Sequence, residues 1–474
     1  MNKRVAEKRD NTQTIARPQS IDQQAYFKIP IYDEWLVHAP LHELNALLPS
    51  DHICKLQANV CEDDEVLSLL RNILKASPKH APTTAGGNID PRFLVFVTTR
   101  GCNLGCVYCH FDGPTAPHNS LELERCRQTI DWMVDALEKH GHEDLPVHFF
   151  GGEPFTTPTL IETVIDYTNE RCRGTALKPR FIATTNGFVS EARAEWIANH
   201  FDQIVLSLDG PKQIHDKNRP VNQTSGSFEI TSRTADILSK KDLELSFRGC
   251  ITSDSVQQMG EIAKWMSTRW HPRSIKFEPL TVNSLTLAAG LEPPDPFDFA
   301  VQWFHARDAA ARHGVDLTYT PINPGEPRLS SCLVGNDALV VHPDGTINAC
   351  YLDSEEWKQH GMDLRLGEVS SGQGVNIDQQ RVDEVRELVK QKDRCSKCFC
   401  RWSCAGGCHV TNTYQGASME YDSFCVGTRI ITACLLLEAT GCGSLVKRLL
   451  TDRQALEKIA RQSTDHLNLE FSHV

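Results

Sequence analysis

The chain has 474 residues and a formal net charge of −12, from 49 Lys and Arg against 61 Asp and Glu. Hydrophobic residues make up 40% and charged residues 23%, which is typical of a folded protein of two or three domains and not of a disordered chain. The acidic balance argues against nucleic acid as a partner, because phosphate backbones are bound by an excess of Lys and Arg.

No run of the sequence approaches the roughly 18–20 apolar residues that a membrane span needs. The segment from Ile430 to Leu437 is interrupted by Thr432 and followed by Glu438, so it predicts a buried helix. The polar N-terminus lacks the apolar core of a secretory signal. We therefore expect a cytoplasmic protein without a membrane partner. Cytosolic thiols stay reduced, so the 18 cysteines indicate metal binding or redox chemistry more than disulfides.

The N-terminal part is predicted as a tail and a small folded unit. Residues 1–24 are expected to be disordered, and residues 25–90 to form an α+β unit that ends in a Pro- and Gly-containing linker from position 78 onward. A strand-like run is followed by apolar positions at helical spacing. The strand residues are Tyr26, Phe27, Ile29 and Ile31, and the helical face is Val66, Leu69, Leu70, Ile73 and Leu74.

Residues 91–314 alternate β-branched or aromatic runs with helical patterns. The predicted strands are Phe93–Thr99, Val147–Phe150, Phe181–Thr185, Ile204–Leu208, Leu245–Thr252 and Ile275–Leu280. The first helix between them has one apolar face, Cys126, Ile130, Met133, Val134 and Leu137, and a capping-box-like pair, Asn119 and Glu122. Six alternations predict an α/β fold with a parallel sheet, open or closed toward a barrel, with its chemistry at the carboxyl ends of the strands.

After residue 314 the strands become short, the turns become frequent, and ten cysteines fall between Cys332 and Cys442. This pattern predicts a separate cysteine-rich module at residues 315–430. A C-terminal helical segment is expected at residues 431–474.

The first cysteine cluster directly follows the first strand of the parallel sheet. Cys102, Cys106 and Cys109 have the spacing C-x3-C-x2-C. Three thiolates on one loop can hold three corners of a cubane iron–sulfur cluster and leave the fourth iron open to another ligand. The neighbouring His110 keeps a zinc site open as an alternative at this point.

This loop, with Tyr108 before its third cysteine, resembles the cluster-binding motif of radical S-adenosylmethionine (SAM) enzymes. The resemblance extends to other predicted strand ends and implies a partial (β/α)6 TIM-type barrel. In that family SAM chelates the open iron, and its reductive cleavage yields a 5′-deoxyadenosyl radical. The residues that the resemblance assigns to SAM binding are Tyr108, Gly151, Gly152, Glu153, Pro154, Thr185, Asn186, Ser207, Asp209 and Arg219.

The cysteines of the C-terminal module resemble the seven-cysteine SPASM pattern. By that resemblance one auxiliary [4Fe–4S] cluster would be held by Cys395, Cys398, Cys404 and Cys425, and another by Cys332, Cys350 and Cys408. An isolated Cys395-x2-Cys398 pair would also suit zinc.

The pattern departs from that of sulfatase-maturating relatives, which carry an eighth cysteine just before the first of the seven. Here residues 327–331 contain no cysteine. Either Cys400 fills that place, or one iron lacks a protein ligand and could take a substrate thiolate.

The resemblance implies an enzyme that binds three [4Fe–4S] clusters and SAM, needs an external electron donor, and modifies a peptide or small protein. A thioether crosslink is the favoured product, and the layout also fits the maturases of quinohemoprotein amine dehydrogenase. The N-terminal unit resembles leader-recognition domains, with a barrel cap as the alternative. Formylglycine formation in sulfatases is the second enzymatic hypothesis, and an iron–sulfur electron carrier or zinc-binding adaptor is the non-enzymatic one. The sequence identifies no catalytic base.

Overall fold

The computed structural model describes residues 26–61, 64–79, 82, 86–111, 119–352, 357–358, 361–388, 393–410, 421–462 and 466–469. The predicted tail, residues 1–24, lies outside the described residues, as does part of the predicted linker.

The strands fall into two sheets. They are β1 Phe27–Ile31, β2 Glu34–Ala39, β3 Leu44–Pro49, β4 Leu94–Val97, β5 Asp144–Phe150, β6 Lys178–Thr185, β7 Gln203–Ser207, β8 Glu244–Ile251, β9 Ser274–Pro279, β10 Asp316–Thr318, β11 Leu339–Val341, β12 Thr346–Asn348, β13 Arg365–Ser370 and β14 Gly374–Ile377.

The α-helices are α1 Ser50–Gln57, α2 Glu65–Lys75, α3 Leu123–His140, α4 Pro158–Arg171, α5 Glu191–His200, α6 Lys212–Asn218, α7 Phe228–Leu238, α8 Met259–Trp270, α9 Ser284–Ala288, α10 Pro296–Ala311, α11 Gln379–Leu388, α12 Asp393–Ser396, α13 Arg401–Cys404, α14 Ser423–Ala439, α15 Gly443–Leu449 and α16 Arg453–Arg461. Short 3-10 helices lie at Pro40–His42, Pro154–Thr156 and Val256–Gln258.

The main sheet has the strand order β10-β9-β8-β7-β6-β5-β4-β11-β12-β13-β14. Strands β4 to β9 are the six predicted ones, and each pairs in parallel with its neighbour. The predicted α/β fold is therefore confirmed. Within the described residues the sheet is open, because β4 is followed by β11 and does not pair with β9.

The two faces of the sheet bury different layers of side chains. Leu94 and Phe96 on β4 belong to the main core under the helices, whereas Val95 and Val97 join a smaller apolar cluster on the opposite, inner face. Parallel strands are buried on both faces in this way because their crossover helices cover one side and the concave interior the other.

The parallel sheet continues past the predicted boundary at residue 314. Strand β10 pairs in parallel with β9, and β11 pairs in parallel with β4. The cysteine-rich part thus shares one continuous sheet with the barrel. A turn at residues 343–345 joins β11 to β12, where Gly345 adopts a φ of 90° that favours glycine.

The N-terminal unit is an antiparallel three-stranded sheet, β1-β2-β3, with α1 and α2. Its helical face differs from the predicted one, since Leu67, Leu70 and Leu74 are buried while Val66 and Leu69 are 57% and 60% exposed. Leu67, Leu70 and Leu74 follow an i, i+3, i+7 spacing and form the buried stripe of the helix. Val66 and Leu69 therefore face the solvent.

Helix α3 buries its predicted apolar face. The predicted capping box is wrong, because the helix begins at Leu123 and its N-cap, Glu122, makes no side-chain capping bond. The apolar segment from Ile430 to Leu437 lies, as predicted, in a largely buried helix, α14. No helix among the described residues is long and apolar enough to cross a membrane.

Candidate active site

The cluster loop, residues 98–111, leaves the carboxyl end of β4 and is fastened by its backbone. The Gly105 and Val107 amides donate to the carbonyls of Pro220 and Asn218, over 2.8 and 3.0 Å. These bonds tie the loop to the end of α6, on the far side of the barrel mouth. The loop is therefore held in place by the fold.

Its three cysteines lie close enough to influence one another, since Cys106 and Cys109 contribute to raising the pKa of Cys102. Burial is the larger cause, and it raises the pKa of Cys102 to about 12 and that of Cys106 to about 11. Buried thiols of this kind become thiolates only when a cation or metal centre compensates the charge.

Amide donors already point at two of these sulfurs. The Leu104 amide lies 3.4 Å from Cys102 Sγ, and the Phe111 amide lies 3.3 Å from Cys109 Sγ. Hydrogen bonds of this type stabilise cluster-bound thiolates. Among the described residues, no three His, Cys, Asp or Glu side chains converge closely enough for a single metal ion.

Gly151 and Gly152 press directly against the backbone of the cluster loop. A Cβ on Gly151 would overlap the Thr99 carbonyl oxygen, and one on Gly152 would overlap the carbonyl oxygens of Arg100 and Gly101. The Gly152 amide donates to the Thr99 carbonyl over 2.9 Å. The paired glycines therefore permit close approach of one backbone to another.

The Glu153 carboxylate is fully buried and engaged by the protein itself. It accepts hydrogen bonds from the Asn186 amide at 2.7 Å, the Thr185 hydroxyl at 2.8 Å and the Phe155 amide at 3.1 Å. Burial raises its pKa to about 7 against these bonds. Glu153 thus joins the ends of β5 and β6, while Pro154 starts the adjoining 3-10 helix.

Asn186 links this junction to the cluster loop. Its side-chain amide donates to Asn103 Oδ1 at 2.8 Å and lies 3.6 Å from Cys102 Sγ. Thr185, beside it, receives the Gly187 amide on its hydroxyl at 3.0 Å. The predicted strand-end residues therefore converge on the cluster loop.

Asp209 is the hub of a buried polar network at the end of β7. Its carboxylate accepts hydrogen bonds from Tyr108 Oη at 2.7 Å, Arg219 Nε at 3.1 Å, the Cys250 amide at 3.0 Å and Asn218 Nδ2 at 3.2 Å. Burial alone would raise the pKa of Asp209, but Arg219 and the other neighbours outweigh it and lower that pKa. The network positions Tyr108, and with it the part of the cluster loop next to Cys109.

Ser207 is the last residue of β7 and pairs in register with Arg248 on β8. Its neighbours Leu206 and Leu208 belong to the main core, so Ser207 faces the barrel interior. Nine of the ten residues that the sequence assigns to SAM binding therefore lie at or just after the strand ends or on the cluster loop. The tenth, Arg219, is the C-cap of α6 and joins them through its ion pair with Asp209.

A second group of thiols surrounds a small cavity of about 20 Å3 next to α14. It is lined by Cys395, Cys398, Cys400, Cys404 and Cys425. Burial raises the pKa of Cys400, and the neighbouring Cys398 and Cys404 act in the same direction. The extra cysteine of the motif therefore lies with this group.

Cys332, Cys350 and Cys408 form a third group at the other side of the cysteine-rich part. Burial raises the pKa of Cys350 to about 12, and the charges of Cys408 and Cys332 act in the same direction. Cys400 does not line a site with these three cysteines in the described residues; it lines the cavity of the second group, beside Cys398 and Cys404.

Two residues of the site escaped sequence reasoning. Cys250, which lies outside both cysteine motifs, is beside Asp209 on the inner face of β8. Tyr351 packs on Phe150 with a ring separation of 4.4 Å and on His148 at 6.1 Å, between Cys350 and the barrel interior. The position of Tyr351 directly after a cluster-motif cysteine is the one sequence signal that could have indicated it.

Comparison with known proteins identifies the central part of the chain. Residues 96–266 match the model of the Radical SAM superfamily. This stretch is similar to the domain that the superfamily shares. The chain is 22% identical over 355 residues to a cysteine-type anaerobic sulfatase-maturating enzyme of Clostridium perfringens, covering 70% of this chain and 92% of that one. It is also 22% identical to a serine-type anaerobic sulfatase-maturating enzyme of Klebsiella aerogenes, covering 71% and 84% of the two chains.

The fold agrees with that of a solved structure, native anSMEcpe with bound AdoMet and Kp18Cys peptide. The TM-score is 0.57 at 19% sequence identity, over 75% of this chain and 99% of the other. The chain thus has the fold of this solved structure, and the family matched at residues 96–266 implies a [4Fe–4S] cluster and SAM. The three clustered thiols and the amide donors aimed at their sulfurs fit such a cluster.

Proposed function

We propose that this radical SAM enzyme is a three-cluster maturase of the SPASM type that installs a thioether crosslink in a ribosomally made peptide or small protein. The observation that carries the proposal is the position of Cys400, which lines the cavity of Cys395, Cys398, Cys404 and Cys425 and so leaves Cys332, Cys350 and Cys408 as a group of three. If that group holds a cubane, three cysteines ligate it and one iron is left for a ligand from outside the chain. A substrate thiolate is the ligand that thioether chemistry requires.

When bound, SAM and the first cluster would supply a carbon-centred radical strong enough to abstract hydrogen from a C–H bond. The chain's own part is to hold and shield that chemistry. The three thiols of the cluster loop would bind the first cluster, and the Asp209 network fixes the position of Tyr108 on that loop. The apolar inner cluster that contains Val95 and Val97 excludes water from the barrel interior. Joining sulfur to carbon removes one hydrogen from each, so the substrate is oxidised by two electrons. SAM would be the oxidant: one hydrogen atom would leave in 5′-deoxyadenosine, the thiol would lose a proton, and the remaining electron would pass to an auxiliary cluster. Starting the reaction also needs an external electron donor.

Leader recognition is the role we propose for the N-terminal unit. Its β1 edge is partly covered, because the Leu467 amide donates to the Tyr26 carbonyl over 2.8 Å and His466 forms a bridge to Phe27. The outer edge of β3 has no strand partner among the described residues. An extended leader could add there as a fourth strand. A capping role is the alternative, since Ile29 and Ile31 pack into the main core.

Formylglycine formation is the second candidate, favoured by the sulfatase-maturating relatives that align with 70% of this chain. Against it stand the long N-terminal region before the cluster loop and the lack of an eighth cysteine at residues 327–331. The two reactions differ in the fate of sulfur. A thioether keeps the substrate sulfur and consumes its thiol, whereas formylglycine formation from cysteine expels the sulfur.

The test begins with iron, acid-labile sulfide and SAM cleavage after anaerobic reconstitution. We expect about 12 iron per wild-type chain and about 8 in a Cys102→Ala, Cys106→Ala, Cys109→Ala variant, which should also lose SAM cleavage. About 4 iron plus zinc in the wild type would contradict the three-cluster proposal and leave the radical SAM domain intact.

The product is then read by mass spectrometry with two candidate substrates. One is a cysteine-containing precursor peptide with its leader, and the other is a peptide that carries a sulfatase active-site motif. The proposal predicts loss of two hydrogens from the precursor with sulfur retained and the thiol no longer alkylated by iodoacetamide. Loss of sulfur from the sulfatase peptide, with no change in the precursor, would favour the second candidate.

A further inference from the structure

The inner wall formed by β8 and β9 is polar where a barrel interior is usually filled by branched apolar side chains. Phe247, Ile275 and Phe277 point outward into the main core, so the residues that alternate with them point inward. The inward residues pair across the strands as Ser246 with Ser274, Arg248 with Lys276 and Cys250 with Glu278.

Arg248 and Lys276 are therefore direct cross-strand neighbours, on strands that run about 4.8 Å apart. Arg248 is exposed and Lys276 is half-buried. Neither cation has an ion-pair or hydrogen-bond partner for its side chain in the described part of the chain. The adjacent Glu278 does not neutralise them, and its Oε1 is buried without a hydrogen-bond partner. Like charges placed side by side repel, so this pair is stable only with an anion or water between its members.

Arg248 lies near both kinds of cysteine site. It is two residues before Cys250 on β8, whose amide donates to Asp209 beside the cluster loop. Burial raises the pKa of Tyr351, which follows Cys350, and the charge of Arg248 lowers that pKa, so Arg248 is also near the third group of cysteines. It also pairs in register with Ser207 on β7, a predicted SAM contact. A group bound to Arg248 would consequently sit between the radical source and the group of three cysteines.

We propose that Arg248 and Lys276 bind a carboxylate of the substrate, either an Asp or Glu side chain or a chain terminus, and so select an acidic residue close to the site of reaction. The proposal rests on the proposed function, because it assumes a peptide or protein substrate in the barrel. A guanidinium offers paired donors that match a carboxylate, and the neighbouring ammonium adds a second charge. The α-carboxylate of SAM carries the same chemistry and is the competing source.

The test measures binding of two small probes to the reconstituted, SAM-loaded enzyme by saturation-transfer NMR. The probes are N-acetylglutamate N-methylamide and its uncharged glutamine counterpart. We expect the glutamate probe to bind at least tenfold more tightly, about 1.4 kcal/mol. Arg248→Gln and Lys276→Gln should each remove most of that preference, and Arg248→Lys should keep part of it. Arg273→Gln, at the exposed amino end of the same wall, is the matched control and should keep all of it.

SAM affinity and SAM cleavage are measured in the same samples. Unchanged SAM affinity in both glutamine variants supports the substrate assignment. A large loss of SAM affinity with the probe preference intact would overturn it and assign the pair to SAM. Equal binding of the two probes to the wild type would also overturn it. Because cleavage is read separately, a failure of this inference with cleavage intact leaves the proposed function standing.

Discussion

Replacing Asp209 with asparagine should destabilise the protein strongly although the side chain keeps its size. Asp209 is fully buried, and its ion-pair partner Arg219 is 11% exposed at an N–O distance of 3.1 Å. Asparagine removes the negative charge that faces the buried Arg219 guanidinium. Its NH2 group also replaces one carboxylate oxygen, so at least one donor, such as the Tyr108 hydroxyl or the Cys250 amide, loses its acceptor. Breaking one partner of a buried pair costs about 3–5 kcal/mol.

The assay is urea unfolding of the reconstituted enzyme followed by circular dichroism, with Asp236→Asn as the matched control. Asp236 forms an ion pair with Arg269 at 2.9 Å, but both side chains are 39% exposed, so its loss should cost about 0–1 kcal/mol. A double variant, Asp209→Asn with Arg219→Gln, should recover part of the loss because it leaves no buried charge. Equal losses for Asp209→Asn and Asp236→Asn would refute the reasoning that the buried network holds the cluster loop.

Three further outcomes are expected. Gly152→Ala should displace the cluster loop, because the new Cβ would overlap two carbonyl oxygens of that loop. We expect the free energy of unfolding to fall by about 1–3 kcal/mol and the iron content to fall by about 4 per chain. Gly443→Ala, which has open space around it, is the control and should change neither the stability nor the iron content. Burial lowers the pKa of His38 from 6.5 to about 4, so the contribution of the neutral imidazole to stability is complete above pH 6.5 and is lost as the pH falls toward 4. Urea unfolding at several pH values should show that His38→Gln reduces the fall of the unfolding free energy between pH 6.5 and 4 by the equivalent of about one bound proton. An unchanged pH dependence would contradict this. Cys400→Ser should keep about 12 iron per chain by chemical analysis, whereas Cys350→Ser should lose about 4. The reverse result would assign Cys400 to the group of Cys332, Cys350 and Cys408.

Local patterns in the sequence were sufficient for much of the fold and the site. The six strands β4 to β9 coincide with β-branched runs, and the apolar face of α3 is buried as its spacing predicts. The spacing of Cys102, Cys106 and Cys109 is enough to indicate an iron–sulfur loop. These features depend on neighbours within a few residues of one another, so a single sequence contains them.

Other features depend on which distant segments meet. The sequence treated Val66 and Leu69 as core, because periodicity alone cannot distinguish two overlapping helical stripes. It placed a domain boundary before β10, although that strand pairs with β9 through hydrogen bonds that no local pattern encodes.

The allocation of Cys400, and the pairing of Arg248 with Lys276, were likewise decided only by tertiary structure. Cys400 lies within the motif spacing of both thiol groups, and the turn at α13 decides which group it joins. Arg248 and Lys276 are far apart in sequence and become neighbours through the parallel register of β8 and β9. The sequence by itself determined which reactive groups the protein has, since thiol spacing is local. The tertiary structure decided which of these groups share a site, because strand register and chain turns bring residues together that are distant in the sequence.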